Sequence, residues 1–125
     1  MNKLDSLIKD LTKANQALKE TTALKPTRVH KDATIQRFEF TFELCWKALQ
    51  TYIRDQGFDC KSPKNYFREA AKIDLIEDPG EWFAYLEKRN LIAHTYNKQL
   101  ADQVYQKAID FPGVVDQLLE KLKRE

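Results

Sequence analysis

Apolar residues recur at steps of three and four along the chain, and this spacing constrains the fold more than any other feature. In residues 3–20 the recurring positions are Leu4, Leu7, Ile8, Leu11, Ala14 and Leu18. An α-helix turns once in about 3.6 residues, so these side chains share one face. Only 3 glycines and 4 prolines occur in 125 residues, which argues against a turn-rich β-sandwich. The pattern predicts an all-α protein.

The second predicted helix is the most apolar one. It follows a loop that contains Pro26, takes Asp32 as its candidate N-cap and should end near Gly57, a usual helix stop. Phe40 and Leu44 widen its apolar stripe beyond a single face. We therefore expect this helix to be buried on much of its surface.

Proline marks the boundaries of the remaining helices. Ser62-Pro63 and Asp78-Pro79 each place a capping residue before a proline that suits the first helical turn. A fifth helix is predicted from Gln99, and Pro112-Gly113 should kink or split it. The predicted architecture is a five-helix, up-and-down bundle in which residues 1–125 form a single domain.

Composition removes several classes of function. The net charge of +2 neither requires nor excludes nucleic acid. No stretch approaches the roughly 18 apolar residues of a membrane span, and no signal peptide is recognisable, so we expect a cytoplasmic protein without a membrane partner.

Cys45 and Cys60 fit neither a CxxC motif nor a disulfide framework, and Cys45 lies in an apolar run that assigns it to the core. Metal-binding, P-loop and dinucleotide motifs are absent, so neither a metal nor a cofactor is predicted.

The segment LEKRNLIAHTYNKQ, residues 86–99, concentrates polar side chains at a predicted helix end. Asn90 and His94 are four residues apart and would share a face, whereas Arg89 lies about 140° from His94 on a straight helix. Arg89 and His94 can converge if the helix ends near His94. Tyr96 would then lie in the following loop. Such a cluster beside an apolar bundle is a candidate site.

The chemistry of these residues suits RNA cleavage by its own 2′-hydroxyl without a metal. Histidine moves protons near neutral pH, and arginine holds phosphate while stabilising charge on its oxygens. Spacing alone nevertheless favours a structural interpretation, in which His94 offsets the helix dipole and Arg89 pairs with Glu81 or Glu87 at the surface.

The second helix offers a different set of binding residues. Glu39 and Glu43 are four apart, Lys47 follows at the next step, and Trp46 lies nearby. These residues can bind a small substrate by stacking and hydrogen bonding. In the alternative interpretation, the aromatic side chains are core and Glu43 forms an ordinary helical pair with Lys47. Half-buried carboxylates need partners, and Arg89 or His94 are candidates.

Basic residues decorate the third helix. Lys61, Lys64, Arg68 and Lys72 recur on it at steps of three and four. They can line a path for RNA. An ordinary solvated surface is the favoured interpretation, because acidic residues lie near them in the sequence.

Two features of the chain resemble a known family. Residues 89–96, RNLIAHTY, match the R-x4-H-x-Y motif of HEPN-domain proteins. The aromatic stretch IQRFEFTFELCWKALQTYI, followed by SPKNYFREAAKIDLI and WFAYLEKRNLIAHTYN, resembles the nucleotidyltransferase substrate-binding protein branch of that family. The resemblance covers roughly residues 1–122.

The resemblance implies a five-helix bundle that forms a homodimer, with the motif along a cleft at the dimer interface. It implies one of two functions. The first is a metal-independent ribonuclease toxin, silenced when a minimal nucleotidyltransferase adds AMP to Tyr96. Arg89 would then hold phosphate and His94 would transfer protons. Asn90 would orient one or both of these side chains. The second is a non-catalytic, substrate-binding subunit of a two-component nucleotidyltransferase.

Overall fold

A computed structural model describes residues 2–124, and these residues form an α-helical bundle that contains no strand. The helices are α1 (Lys3–Thr22), α2 (Arg28–Asp55), α3 (Pro63–Lys72), α4 (Pro79–Asn90), α5 (Lys98–Ala108) and α6 (Phe111–Arg124). Segments α5 and α6 are the two parts of one helix, which bends by 40° near residue 109. The predicted five-helix bundle with a divided last helix is confirmed.

The last helix divides just before its proline. The α5 segment ends at Ala108, and Pro112 is the second residue of α6. Proline is tolerated in a first helical turn because its missing N–H would have no partner there. Pro112 therefore begins the new segment and does not interrupt an existing helix.

The predicted caps of α3 and α4 are confirmed, whereas that of α2 is wrong. The Ser62 hydroxyl accepts a hydrogen bond from the Asn65 N–H, and the Asp78 carboxylate accepts one from Gly80. Helix α2 begins four residues before Asp32, and Thr27 caps it by accepting a hydrogen bond from the His30 N–H. Threonine in extended backbone is an effective N-cap, and it lies directly after Pro26.

Helix α2 ends as predicted, at Asp55, two residues before Gly57. Gly57 has a φ of +94°, a conformation that glycine adopts without steric cost. The expectation that Phe40 widens a buried stripe is wrong, because 40% of its side chain is exposed. Phe40 lies on the opposite face of α2 from Phe38 and Phe42, and α1, α3 and α5 pack on the other sides of the helix.

The core is built around Phe111, at the start of α6. Its ring lies 4.6 Å from the Tyr85 ring, 5.2 Å from Phe38 and 5.7 Å from Trp82, measured between centroids. Burial raises the pKa of Tyr85 to about 12, so its phenol stays neutral and structural. Cys45 is fully buried and burial raises the pKa of its thiol, which confirms its assignment to the core.

None of the helices in the described residues combines the length and apolar character needed to cross a membrane. The charged faces of the bundle carry ion pairs between helices, for example Lys19 with Asp116 and Lys31 with Asp102. The two long helices α1 and α2 pack along each other, and α4 lies against α2, α3 and α5. This arrangement brings the C-terminal end of α4 beside the middle of α2.

Candidate functional site

The polar segment 86–99 spans the end of α4, the connection that follows and the start of α5. Helix α4 ends at Asn90, and Ile92–His94 form one turn of 3-10 helix. The N–H of His94 donates to the Leu91 carbonyl at 2.9 Å. Asn97 then caps α5, because its side-chain oxygen accepts hydrogen bonds from the N–H groups of Gln99 and Leu100. The cap fixes the start of α5 and leaves His94 and Tyr96 in the tight connection, as the sequence predicted.

Arg89 is held by an ion pair with α2. Its Nε atom donates to Oε1 of Glu43 at 2.7 Å, and about one third of each side chain remains exposed. Glu43 is therefore the partner of Arg89, which is one of the pairings that the sequence left open. The other predicted partners, Glu81 and Glu87, do not pair with Arg89. The bond uses Nε and leaves the two terminal nitrogens of the guanidinium for a second ligand. This geometry presents a fixed, partly exposed positive charge.

His94 and Tyr96 lie next to each other on the outer surface. Their ring centroids are 6.2 Å apart and the planes are inclined by 75°, an edge-to-face arrangement. Tyr96 is 84% exposed, more than any other large hydrophobic residue in residues 2–124. The imidazole is exposed as well. Both groups are therefore accessible to a substrate or to a partner protein.

A shallow groove of about 300 Å³ runs from Tyr96 to the start of α2. Its polar lining consists of Arg28, Asp32, Gln36, Glu39, Thr95 and Tyr96. Arg28 Nη2 donates to the Thr95 carbonyl at 3.5 Å and Nε lies 3.3 Å from Asp32. The sequence did not predict that these α2 residues lie beside Tyr96. Their spacing of three and four places them on one face of the helix, which is the only signal that could have suggested it.

The predicted site residues are distributed over neighbouring surfaces. Arg89, His94 and Tyr96 all lie at the connection between α4 and α5, whereas Asn90 lines a separate groove between α3 and α4. Arg89 and His94 do not line the groove beside Tyr96. In the part of the chain from residue 2 to 124, no group of three His, Cys, Asp or Glu side chains is placed to hold a metal ion.

The candidate substrate-binding residues of α2 also lie apart from one another. Glu39 lines the groove beside Tyr96, and Glu43 binds Arg89. The Trp46 ring packs edge-on against Tyr66, with centroids 5.0 Å apart, so it belongs to the aromatic packing of the bundle. Lys47 is exposed, and the Glu43 carboxylate pairs with Arg89 instead of Lys47. The aromatic residues thus follow the core interpretation, while both glutamates lie beside the motif.

Solved structures of similar proteins share this fold along nearly their whole length. A protein from Thermus thermophilus superposes with a TM-score of 0.85 at 39% identity, over 91% of this chain and 99% of that chain. A Haemophilus influenzae structure, described as revealing the fold of a substrate-binding domain of a nucleotidyltransferase, gives 0.81 at 28% identity, over 93% and 98% of the two chains.

Sequence comparisons agree with the structural ones. A Haemophilus influenzae protein named "Probable ribonuclease HepT" is 34% identical over 95 residues, which cover 72% of this chain and 65% of that relative's length. The family model described as "Nucleotidyltransferase substrate binding protein like" matches residues 2–124. The resemblance drawn from the motif and the aromatic blocks is thereby confirmed, and the chain belongs to the nucleotidyltransferase substrate-binding protein-like family.

Proposed function

We propose that the protein is a metal-independent ribonuclease toxin, active in the cytoplasm and silenced by a minimal nucleotidyltransferase that adds AMP to Tyr96. The observation that carries the proposal is the joint exposure of Arg89, His94 and Tyr96 at one connection of the bundle. The name of the 34% identical relative points to the same chemistry.

The cleavage step uses groups that this connection supplies. The 2′ oxygen of the RNA forms a bond to phosphorus while the bond from phosphorus to the 5′ oxygen breaks. His94 accepts the proton of the 2′-hydroxyl, and the leaving 5′ oxygen gains a proton from solvent. The terminal nitrogens of Arg89 bind the phosphate oxygens, on which negative charge increases in the transition state. The products are a 2′,3′-cyclic phosphate and a 5′-hydroxyl.

Glu43 acts in this scheme as a positioning residue for Arg89. Replacing Glu43 with glutamine should reduce the cleavage rate by about 10- to 100-fold, because a misplaced phosphate-binding group costs that much in a preorganised site. The measurement is a single-turnover cleavage assay alongside thermal unfolding. Glu20→Gln is a matched control, since Glu20 also pairs with an arginine, Arg37. Equal cleavage rates in the two variants would show that Glu43 does not position Arg89 for cleavage.

The proposal also explains how a nucleotidyltransferase would silence the protein. Transfer of AMP joins the α-phosphorus of ATP to the Tyr96 oxygen and releases pyrophosphate, and the phenol loses its proton. The adduct adds bulk and negative charge next to His94, whose ring centroid is 6.2 Å from that of Tyr96. RNA phosphates would be repelled from the same place. The exposed phenol is accessible to a partner's active site without unfolding.

Mass spectrometry after co-expression with the nucleotidyltransferase tests this modification. We expect the peptide that contains Tyr96 to carry one or more adenylate groups, and the modified protein to lose RNA cleavage. Tyr96→Phe should resist both the modification and the loss, because it lacks the attacking oxygen. Tyr66 and Tyr105 are internal controls, as both are buried. An adduct on these residues instead of Tyr96 would contradict the proposal.

A homodimer would complete the site. Val29 and Phe40 are 74% and 40% exposed, and their spacing of eleven residues places both on the outer face of α2. Tyr96, in the neighbouring connection between α4 and α5, adds a third exposed side chain. Exposed apolar side chains in such an arrangement are typical of protein interfaces. We propose that this face pairs with its copy and brings two motifs together.

The second candidate function is a substrate-binding subunit without catalysis of its own. The family description and the Haemophilus influenzae substrate-binding domain favour it. In that case, the groove beside Tyr96 would hold a small polar substrate between Arg28, Gln36 and Glu39 and present it to the nucleotidyltransferase. The experiment that separates the two functions is expression of this chain alone. Growth arrest that the partner relieves supports the toxin, and normal growth with stable complex formation supports the binding subunit.

A further inference from the structure

A second groove, of about 410 Å³, lies between α3 and α4 and reaches Asn90 of the motif segment. One face of α4 forms its floor, and the lining residues of that helix are Gly80, Phe83, Ala84, Leu86, Glu87 and Asn90. From Phe83 to Asn90 the helix rises by about 10 Å. The groove therefore ends at Asn90, which directly follows Arg89 in the chain.

Two cations of α3 lie over the Phe83 ring: Lys64 lines the groove, and Arg68 lies beside it, outside the lining. Lys64 Nζ lies 5.6 Å from the centroid of the Phe83 ring, and the Arg68 guanidinium carbon lies 5.1 Å from it. The Asn65 side-chain oxygen accepts a hydrogen bond from Arg68 Nη1 at 2.8 Å and fixes the guanidinium. Over residues 2–124, neither Lys64 nor Arg68 forms an ion pair with a carboxylate. Their charges are consequently available to an anionic ligand.

We propose that this groove binds the single-stranded RNA that enters the cleavage site. Phosphates would contact Lys64 and Arg68, and a base would stack on the guanidinium plane of Arg68, which itself lies over the Phe83 ring. Unpaired cations beside a planar side chain on which a base can stack are usual components of a single-strand binding surface. The inference rests on the proposed ribonuclease function and assigns its substrate an approach along α4.

The distribution of charge favours RNA over an acidic protein. Glu87 is the one carboxylate in the described lining, and it lies 3.8 Å from Lys88. Phe83 packs against Phe67 of the core, with 6.3 Å between ring centroids and planes inclined by 51°, and the ring is only partly buried. A rigid ring between two cations suits alternating bases and phosphates better than a peptide chain.

Binding of fluorescein-labelled, single-stranded RNA of mixed sequence tests the proposal as a function of salt. All proteins carry His94→Ala, so that the RNA is not consumed. We expect Lys64→Gln/Arg68→Gln to reduce the magnitude of the negative slope of log K against log salt by about 1.4, because each single-strand phosphate contact contributes about −0.7. Phe83→Leu should weaken binding by about 5-fold or more. Lys9→Gln/Lys13→Gln, an equal loss of charge on the exposed face of α1, should leave the slope close to that of the parent.

The outcomes separate this inference from the ribonuclease proposal. Equal slopes for the α3 and the α1 double variants overturn the inference, even if the protein with an intact His94 cleaves RNA. A reduced slope in the α3 variant supports it, even if no cleavage is found in any protein, a result that would refute only the enzyme. Weakened binding to the nucleotidyltransferase with unchanged RNA binding assigns the groove to a protein partner and contradicts the proposal.

Discussion

Replacing His94 with alanine is expected to slow RNA cleavage by about 100- to 10,000-fold, the usual contribution of a group that transfers a proton in the transition state. The side chain is exposed and belongs to a turn that backbone hydrogen bonds maintain. The N–H of His94 bonds to the Leu91 carbonyl and its own carbonyl accepts from Asn97. Alanine preserves both bonds, so the loss of rate should occur without loss of stability.

The chain contains its own control for this prediction. His30, the only other histidine, lies in the first turn of α2, and its Nδ1 is 2.6 Å from the Lys25 carbonyl. We expect His30→Ala to cleave RNA at close to the wild-type rate in a single-turnover assay. A His94→Ala protein that cleaves as fast as His30→Ala would remove histidine from the mechanism.

Replacing Phe111 with alanine is expected to lower the free energy of unfolding by about 3–5 kcal/mol. The ring is completely buried and contacts aromatic side chains of α2 and α4 at the division between α5 and α6. Alanine would leave a cavity that the surrounding rings, fixed by their mutual packing, cannot fill. Unfolding in urea, followed by circular dichroism, measures the change.

Phe58→Ala is the matched comparison, because it removes the same atoms from a side chain that is 47% exposed. Its effect should stay near ~1 kcal/mol or below, since surface substitutions rarely cost more. A loss for Phe111→Ala as small as that for Phe58→Ala would contradict the view that the core is built around the Phe111 ring.

The fold was largely predictable because its signals are local. Apolar spacing and the pairs Ser62-Pro63 and Asp78-Pro79 locate helices through backbone geometry and hydrogen bonds within a few residues. The cap of α2 was missed because the regular apolar spacing starts only at Ile35, after an isolated Val29, which drew the prediction to Asp32. The exposure of Phe40 depends on which neighbours cover α2, and periodicity carries no such information.

The candidate site was predictable in its chain segment and not in its partners. The motif residues are adjacent in sequence, so their joint location follows once α4 ends at Asn90. The pairing of Arg89 with Glu43 joins residues on two helices, and the sequence offered it only as one of several options. The groove residues Arg28 and Gln36 come beside Tyr96 through packing of distant segments, which a single sequence does not encode in any local pattern.

The rate of RNA cleavage by the purified, unmodified chain in EDTA is the decisive test of the proposed ribonuclease. We predict cleavage to 2′,3′-cyclic phosphate ends that disappears when the same protein carries AMP on Tyr96. Intact RNA after incubation with the unmodified protein, or an equal rate before and after adenylylation, would contradict it.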